Sequence, residues 1–351
     1  MPGRGLGGQA LLLEACRNAD TLTGLAPLQW ELLLDQADSA RLMGRLVFEA
    51  DRLGISRHAP GWLADRLGSA RAMAHDSERS IEWEINRLAR AFLHRPVKWV
   101  LLKGAGYVAA GLPPARGRRV ADLDVLVPFE SLAAAEAALR EHGWEPAALS
   151  EYDQRYYREW MHELPPLVHG TRNSVIDLHH TILPRTSRLH PDPNALLDRA
   201  VPAGQAHVLC PPHMIVHAAV HLFHDGEISG AVRDLVDLDA LLRCFDGEPG
   251  FWEQLIADGE ALGVTRPIFY ALRYAERLLG TPIPAHLGAA RDSWAPPSPL
   301  LKAMDTMVDA TLGAGGGAAR LSALALYARS HWLRMPPLML ARHLTRKALA
   351  R

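Results

Sequence analysis

Between Val120 and Val127 the chain reads VADLDVLV, an apolar run that carries Asp122 and Asp124 two positions apart and is stopped by Pro128. Side chains of an extended strand alternate between its faces, so both carboxylates share one face while Leu123 and Val125 take the other. Two carboxylates side by side repel each other and resist burial unless a cation lies between them, and hard divalent ions such as Mg²⁺ prefer oxygen ligands. A DxD pair is common, and the plainer alternative is a charged strand edge.

A second apolar run, Ser174 to His180, contains VIDLHH, where the same period of two puts Asp177 and His179 on one face. Three carboxylates on adjacent strands are the arrangement that holds two metal ions about 4 Å apart. For His179 two roles stand side by side, orientation of a carboxylate or ligand and an ordinary strand histidine.

The surroundings predict an α+β fold, a small mixed β-sheet core flanked by helical regions. Residues 9–95 repeat apolar positions at three and four, as in Ile81, Ile85, Leu88 and Phe92, so residues 1–95 read as a helical region. Composition changes at Pro96. VKWVLL, Val97 to Leu102, is β-prone and bounded by Pro96 and Gly104. A short helical piece and an arginine-bearing loop lead to the DLD strand. Ser131 then offers an N-cap to a helix over Leu132–His142, which Gly143 ends. His162–His169 and Ser174–His180 flank the turn-former GTRN as a β-hairpin. The core is assigned to 96–205, and 206–351 to a helical region beginning at Pro211 and Pro212.

The order LLKGAGYVAAG, then Arg116, Arg118 and Arg119, then DLDVLV and a later IDLH strand resembles the DNA polymerase β-like nucleotidyltransferase superfamily, and within it a bacterial uncharacterised nucleotidyltransferase branch. The resemblance covers residues 97–185 well and the following helices loosely; the amino-terminal helices add little. It implies that Asp122, Asp124 and Asp177 bind Mg²⁺ or Mn²⁺, with Asp177 a candidate general base. It also places Lys103, Gly104 and Ala105 at the triphosphate corner. The superfamily usually has Gly-Ser there, and Lys-Gly-Ala lacks the hydroxyl; backbone NH groups of Gly104 and Ala105 are the expected substitutes. Arg119, and beside it Arg116, are the expected phosphate contacts, with a solvated basic loop as the alternative.

The expected reaction is transfer of a nucleoside monophosphate from an NTP, taken as ATP, to a hydroxyl or amine of a small molecule, peptide or protein. A DxD glycosyltransferase and a non-catalytic binding protein of the same fold are the rivals. The formal net charge of −1 and pI near 7.0 make nucleic acid an unexpected partner. Cys16, Cys210 and Cys244 show no paired spacing, and no signal-peptide core or membrane-length apolar run occurs, so the expectation is a cytoplasmic protein.

His213, His217, His221 and His224 form one helical stripe. It looks like a zinc site, but no HExxH glutamate accompanies it, and packing against the core is the favoured reading. His217 and His221, with His179, are candidates for an acceptor pocket. Asp234 and Asp237 share a helix face near Arg233 and read as ion-paired. After Asp309 the chain carries Arg320, Arg329, Arg334, Arg342, Arg346, Lys347 and Arg351 without an acid, an amphipathic segment expected to pack on its own protein.

Overall fold

The computed structural model describes residues 9–341 apart from 227, 315, 316 and 338; Arg342, Arg346, Lys347 and Arg351 of the basic tail lie outside the described residues. In chain order its strands are β1 (Val100–Leu101), β2 (Asp122–Leu126), β3 (Trp144–Pro146), β4 (Leu167–His169), β5 (Val175–His179), β6 (Val201–Ala203) and β7 (Ala206–Val208). They form one mixed sheet, β3-β4-β5-β2-β1-β7-β6. β2 is parallel to β5 and antiparallel to β1, which pairs in parallel with β7. The fold is α+β, as the alternation of patterns predicts.

Helices cover the sheet on the amino-terminal side with Pro27–Ser39, Met43–Arg52 and the long Gly61–Phe92. On the carboxy-terminal side, Pro211–Val220 packs against Val232–Phe245, Phe251–Ala261 and Thr265–Tyr274. One cluster of buried apolar side chains runs from Leu12 to Leu326 and includes Leu123, Val125, Ile176 and Leu178 from the two central strands. β2 and β5 are therefore central strands, which explains their near-continuous apolar composition outside the acids.

Several elements differ from the sequence expectation. The VKWVLL strand pairs only at Val100 and Leu101, where β2 and β7 are both in reach. The hairpin is present with Asn173 at φ 56 in its turn, but its first strand starts at Leu167. Pro165 and Pro166 cannot donate to a ladder and break the run, leaving one isolated bridge, Glu163 to His179. Ser131 sits at the N-cap position, yet its side chain makes no capping bond, because a 3₁₀ turn over Phe129–Ser131 runs straight into the helix. A helix over Glu151–Trp160, capped by Ser150 on the Asp153 NH, and strands β3, β6 and β7 have no counterpart among the sequence expectations. The last three have three residues each, too few for a period to show.

Two glycines lock the amino-terminal helices onto the arginine loop. A Cβ on Gly44 would stand 2.0 Å from the Gly117 carbonyl oxygen, and Gly117 has φ +71. The backbones meet where no side chain fits. This contact fixes both the start of Met43–Arg52 and the turn that carries Arg116, Arg118 and Arg119.

Candidate functional site

The parallel register of β2 and β5 sets Asp122 beside Val175, Asp124 beside Asp177 and Leu126 beside His179. Alternation then puts Asp122, Asp124, Asp177 and His179 on one face of the sheet. Asp124 is almost wholly buried. Its Oδ1 accepts from Lys103 Nζ at 3.0 Å and meets His179 Nε2 at 2.9 Å. Burial would raise the Asp124 pKa, but the Lys103 charge and the His179 contact hold it well below the usual carboxylate range. For Lys103 burial acts downward, and Asp124 outweighs it, so the ammonium is stabilised. Lys103 has φ 44, a left-handed conformation unusual outside glycine, at the corner where β1 becomes the helix Lys103–Ala109. That turn is what aims Nζ across β2.

Asp177 is different. Burial, then Glu163 and Asp124, push its pKa up to about 7. Its Oδ1 is buried and has no hydrogen-bond partner. Asp122, half-buried, is raised by burial and then by Asp124. The face thus carries more negative charge than Lys103 and His179 balance, and its donors are carboxylate oxygens. An orphaned buried carboxylate oxygen among hard oxygen donors fits a divalent ion such as Mg²⁺ or Mn²⁺, with Asp122, Asp124 and Asp177 as its holders.

A cleft of about 210 Å³ opens beside this face. Its wall includes Lys103, Gly104, Arg118, Arg119, Asp122 and Asp124, and on the far side His221, Arg233 and Asp234. Gly104 is required there, since a Cβ would lie 2.8 Å from Arg118 Nε and 3.0 Å from a Val120 methyl. Ala105 is buried in the core behind it. Arg116 is turned away, its guanidinium 5.1 Å from the Phe48 ring centre. Asp177 lies one strand from the cleft wall, and His217 is buried with its ring stacked on His221 at 6.3 Å. Both histidines are kept neutral, first by burial and then by Lys103.

The four-histidine stripe does not act as a unit. His213 turns to Asp258 at 3.3 Å and His224 to Ser187 Oγ at 2.8 Å. A π-helical turn over His221–Asp225, closed by the Gly226 NH on the His221 carbonyl, breaks the 3.6-residue period after His221. Arg329 bonds the Phe223 carbonyl at 2.8 Å, which ties the helix Gly317–Arg334 to this turn.

Sequence reasoning missed three contributors and ranked a fourth below its neighbours. Arg41, at φ 58 just before Met43–Arg52, reaches the cleft from the amino-terminal helices. Arg118, passed over for its neighbours, is the arginine that pairs with buried Asp237 across the cleft. His162 and Glu163 arrive beside His179 through the isolated bridge. No local pattern marks Arg41, His162 or Glu163, although the Pro165-Pro166 break marks where the segment containing the last two ends, and nothing local sets Arg118 apart from Arg116 and Arg119.

A profile of the uncharacterised nucleotidyltransferases matches residues 26–280. The chain belongs to that family. No curated protein matches the chain. The nucleotidyltransferase match begins in the amino-terminal helices, ahead of the 97–185 stretch that carries the motif resemblance, and so takes in Arg41 and the Gly44–Gly117 contact. It closes at Gly280, after the helices that supply His221, Arg233 and Asp234. The region matched is therefore the region that builds the cleft. Among the described residues no helix is long and apolar enough to cross a membrane.

Proposed function

We propose that the protein transfers a nucleoside monophosphate from an NTP, ATP being the expected one, to an acceptor hydroxyl or amine with release of pyrophosphate. The observation that carries this reading is the in-register pair Asp124 and Asp177, joined on the same face by Asp122, beside a cleft that Asp122 and Asp124 line together with Lys103, Arg118 and Arg119. Mg²⁺ or Mn²⁺ bound by the three carboxylates supplies charge neutralisation for the phosphates. The remaining work belongs to the chain. The guanidinium of Arg119 binds phosphate oxygens, and Gly104 lets Arg118 and Val120 close against the corner of the cleft. The acceptor oxygen or nitrogen bonds to the α-phosphorus as the α–β bridging bond breaks, and its proton passes to the Asp177 carboxylate. Positioning and electrostatics carry most of the acceleration in such a reaction.

The kinship with DNA polymerase β-like enzymes belongs to the same proposal, resting on Lys103, DLD and IDLH in their order. So does a cytoplasmic location, where NTP is abundant and Cys16, Cys210 and Cys244, all unpaired in the structure, stay reduced. The acceptor is a small molecule, peptide or protein. The test is incubation with each NTP, Mg²⁺ and a metabolite or lysate pool, read by mass for an added nucleotide and by pyrophosphate release. Wild-type protein yielding neither with any NTP overturns the reading.

One observation favours a second reading. Lys103 and His179 both occupy Asp124 Oδ1, an internal neutralisation that a silent, nucleotide-binding relative would retain. Calorimetric NTP binding without pyrophosphate release identifies that case. For the glycosyltransferase alternative, the strand-rich half expected before DxD is absent among the described residues, where β1 is the first strand and helices precede it.

A further inference from the structure

We propose that His162, Glu163 and His179 form a second cation site, taking a borderline divalent ion of the zinc class and distinct from the set Asp122, Asp124 and Asp177. His179 Nε2 lies 3.3 Å from Glu163 Oε2, and His162 Nε2 lies 3.7 Å from the same oxygen. All three ligand atoms fall within 4.8 Å of one another. Zinc–nitrogen and zinc–oxygen bonds of about 2.0–2.2 Å in a tetrahedron space their ligands about 3.3–3.6 Å apart. The Glu163 oxygen stands from each imidazole nitrogen at about that spacing.

The chain brings these groups together deliberately. His180 NH bonds the His162 carbonyl and Leu164 NH the Leu178 carbonyl, both at 2.9 Å, so the segment before Pro165 runs antiparallel to the end of β5 and sets Glu163 opposite His179. His162 supplies the independent sign of a ligand. It is 7% exposed, its Nδ1 has no hydrogen-bond partner, and its Nε2 stands beyond hydrogen-bond reach of Glu163. A buried imidazole nitrogen left without a partner, as Nδ1 is here, is costly. An ion bound by the ring beside the Glu163 carboxylate gives this imidazole a partner, and burial keeps the His162 ring in the neutral, ligating form.

Donor chemistry separates the two sites. Two imidazoles and one carboxylate match the zinc class, whereas the Asp122, Asp124 and Asp177 oxygens suit Mg²⁺. When the His179 ring ligates the ion, Asp124 keeps Lys103 as its counter-charge at 3.0 Å. The ion would clamp the His162–Leu164 segment to β5 by taking the His179 Nε2 that otherwise meets Asp124.

The probe is Co²⁺ added to the full-length protein in excess Mg²⁺, followed by Zn²⁺ competition. One equivalent of Co²⁺ should give intense visible bands of a low-coordinate nitrogen and oxygen shell, bleached by Zn²⁺. His162→Gln and Glu163→Gln should each weaken Zn²⁺ binding at least about 100-fold, while Asp122→Asn leaves it within about twofold of wild type. Wild-type protein without a Zn²⁺-competed Co²⁺ band overturns the proposal, whatever the folding of the variants. So does loss of the band in Asp122→Asn with His162→Gln unaffected, which places the ion among the three aspartates. Nucleotide transfer is not part of the readout, so this test and that of the transferase reading fail separately.

Discussion

Asp124 and Asp177 face one another as Cα partners across the parallel pair β2–β5, yet their carboxyl groups lie in opposite electrostatic states. Asp124, touched by Lys103 and His179, is held ionised, and Asp177, without a partner on Oδ1, is pushed toward its protonated form. Neighbouring acids driven apart in this way are what a site that binds a cation and moves a proton requires.

Asp122 is the cleanest of the three acids to alter, because it is half-buried and lacks the Lys103 and His179 contacts of Asp124. Asp122→Asn is expected to cut Mg²⁺-dependent transfer by about 10³-fold or more with unchanged circular dichroism. Asp124→Asn should also lose activity and, by stranding Lys103 and His179, lower stability by about 3–5 kcal/mol. Denaturant melts of the two variants measure the difference.

The raised pKa of Asp177 gives a signed pH dependence. Below about 7 the carboxyl holds its proton, so Mg²⁺ binding and proton acceptance are both weakened; above it the carboxylate is free. Mg²⁺ affinity of the nucleotide-free protein should fall as pH drops from 8 to 6, on calorimetric titration. Asp177→Asn should flatten this slope while binding more weakly throughout.

Arg119 lines the cleft and Arg116 does not. Arg119→Ala should raise the KM for NTP at least about tenfold, the loss of a charged phosphate contact worth about 1.5–3 kcal/mol. Arg116→Ala, which removes a guanidinium resting on Phe48, should leave KM near wild type. Equal effects would show that the loop rearranges when nucleotide binds.

Gly44→Ala tests the backbone contact. The added methyl would overlap the Gly117 carbonyl, so the helix and the arginine loop must separate. A loss of about 1–3 kcal/mol is expected from such overpacking. The KM for NTP should rise as well, since the loop carries Arg118 and Arg119, and thermal melts with steady-state kinetics report the two effects.

Away from the cleft, His213 and His224 are each depressed to about 4, chiefly by burial. Their ordinary value is 6.5, so unfolding takes up protons between these limits. Their contribution is intact above about pH 6.5 and drains away as pH falls toward 4, by at most about 1.4 kcal/mol per pH unit for each histidine. Urea midpoints at pH 7, 6 and 5 should decline in step, and less so in His224→Gln.

The facing of Asp122 with Asp124, and of Asp177 with His179, was legible in the sequence because a strand has a period of two and its sides follow from counting. The α+β pattern and the helices before Pro96 were legible for the same kind of reason, a repeat long enough to see. Residues that act through contacts distant in the chain left no such trace. Arg41 enters the cleft because two glycines touch, Arg118 because Asp237 waits on a helix more than a hundred residues later, and Glu163 because a broken strand still bridges His179. Local periodicity determined which face each strand acid takes. Only tertiary packing decided which acid keeps a counter-ion and which is left bare, since burial and neighbouring charge, not residue type, set the state of a carboxylate.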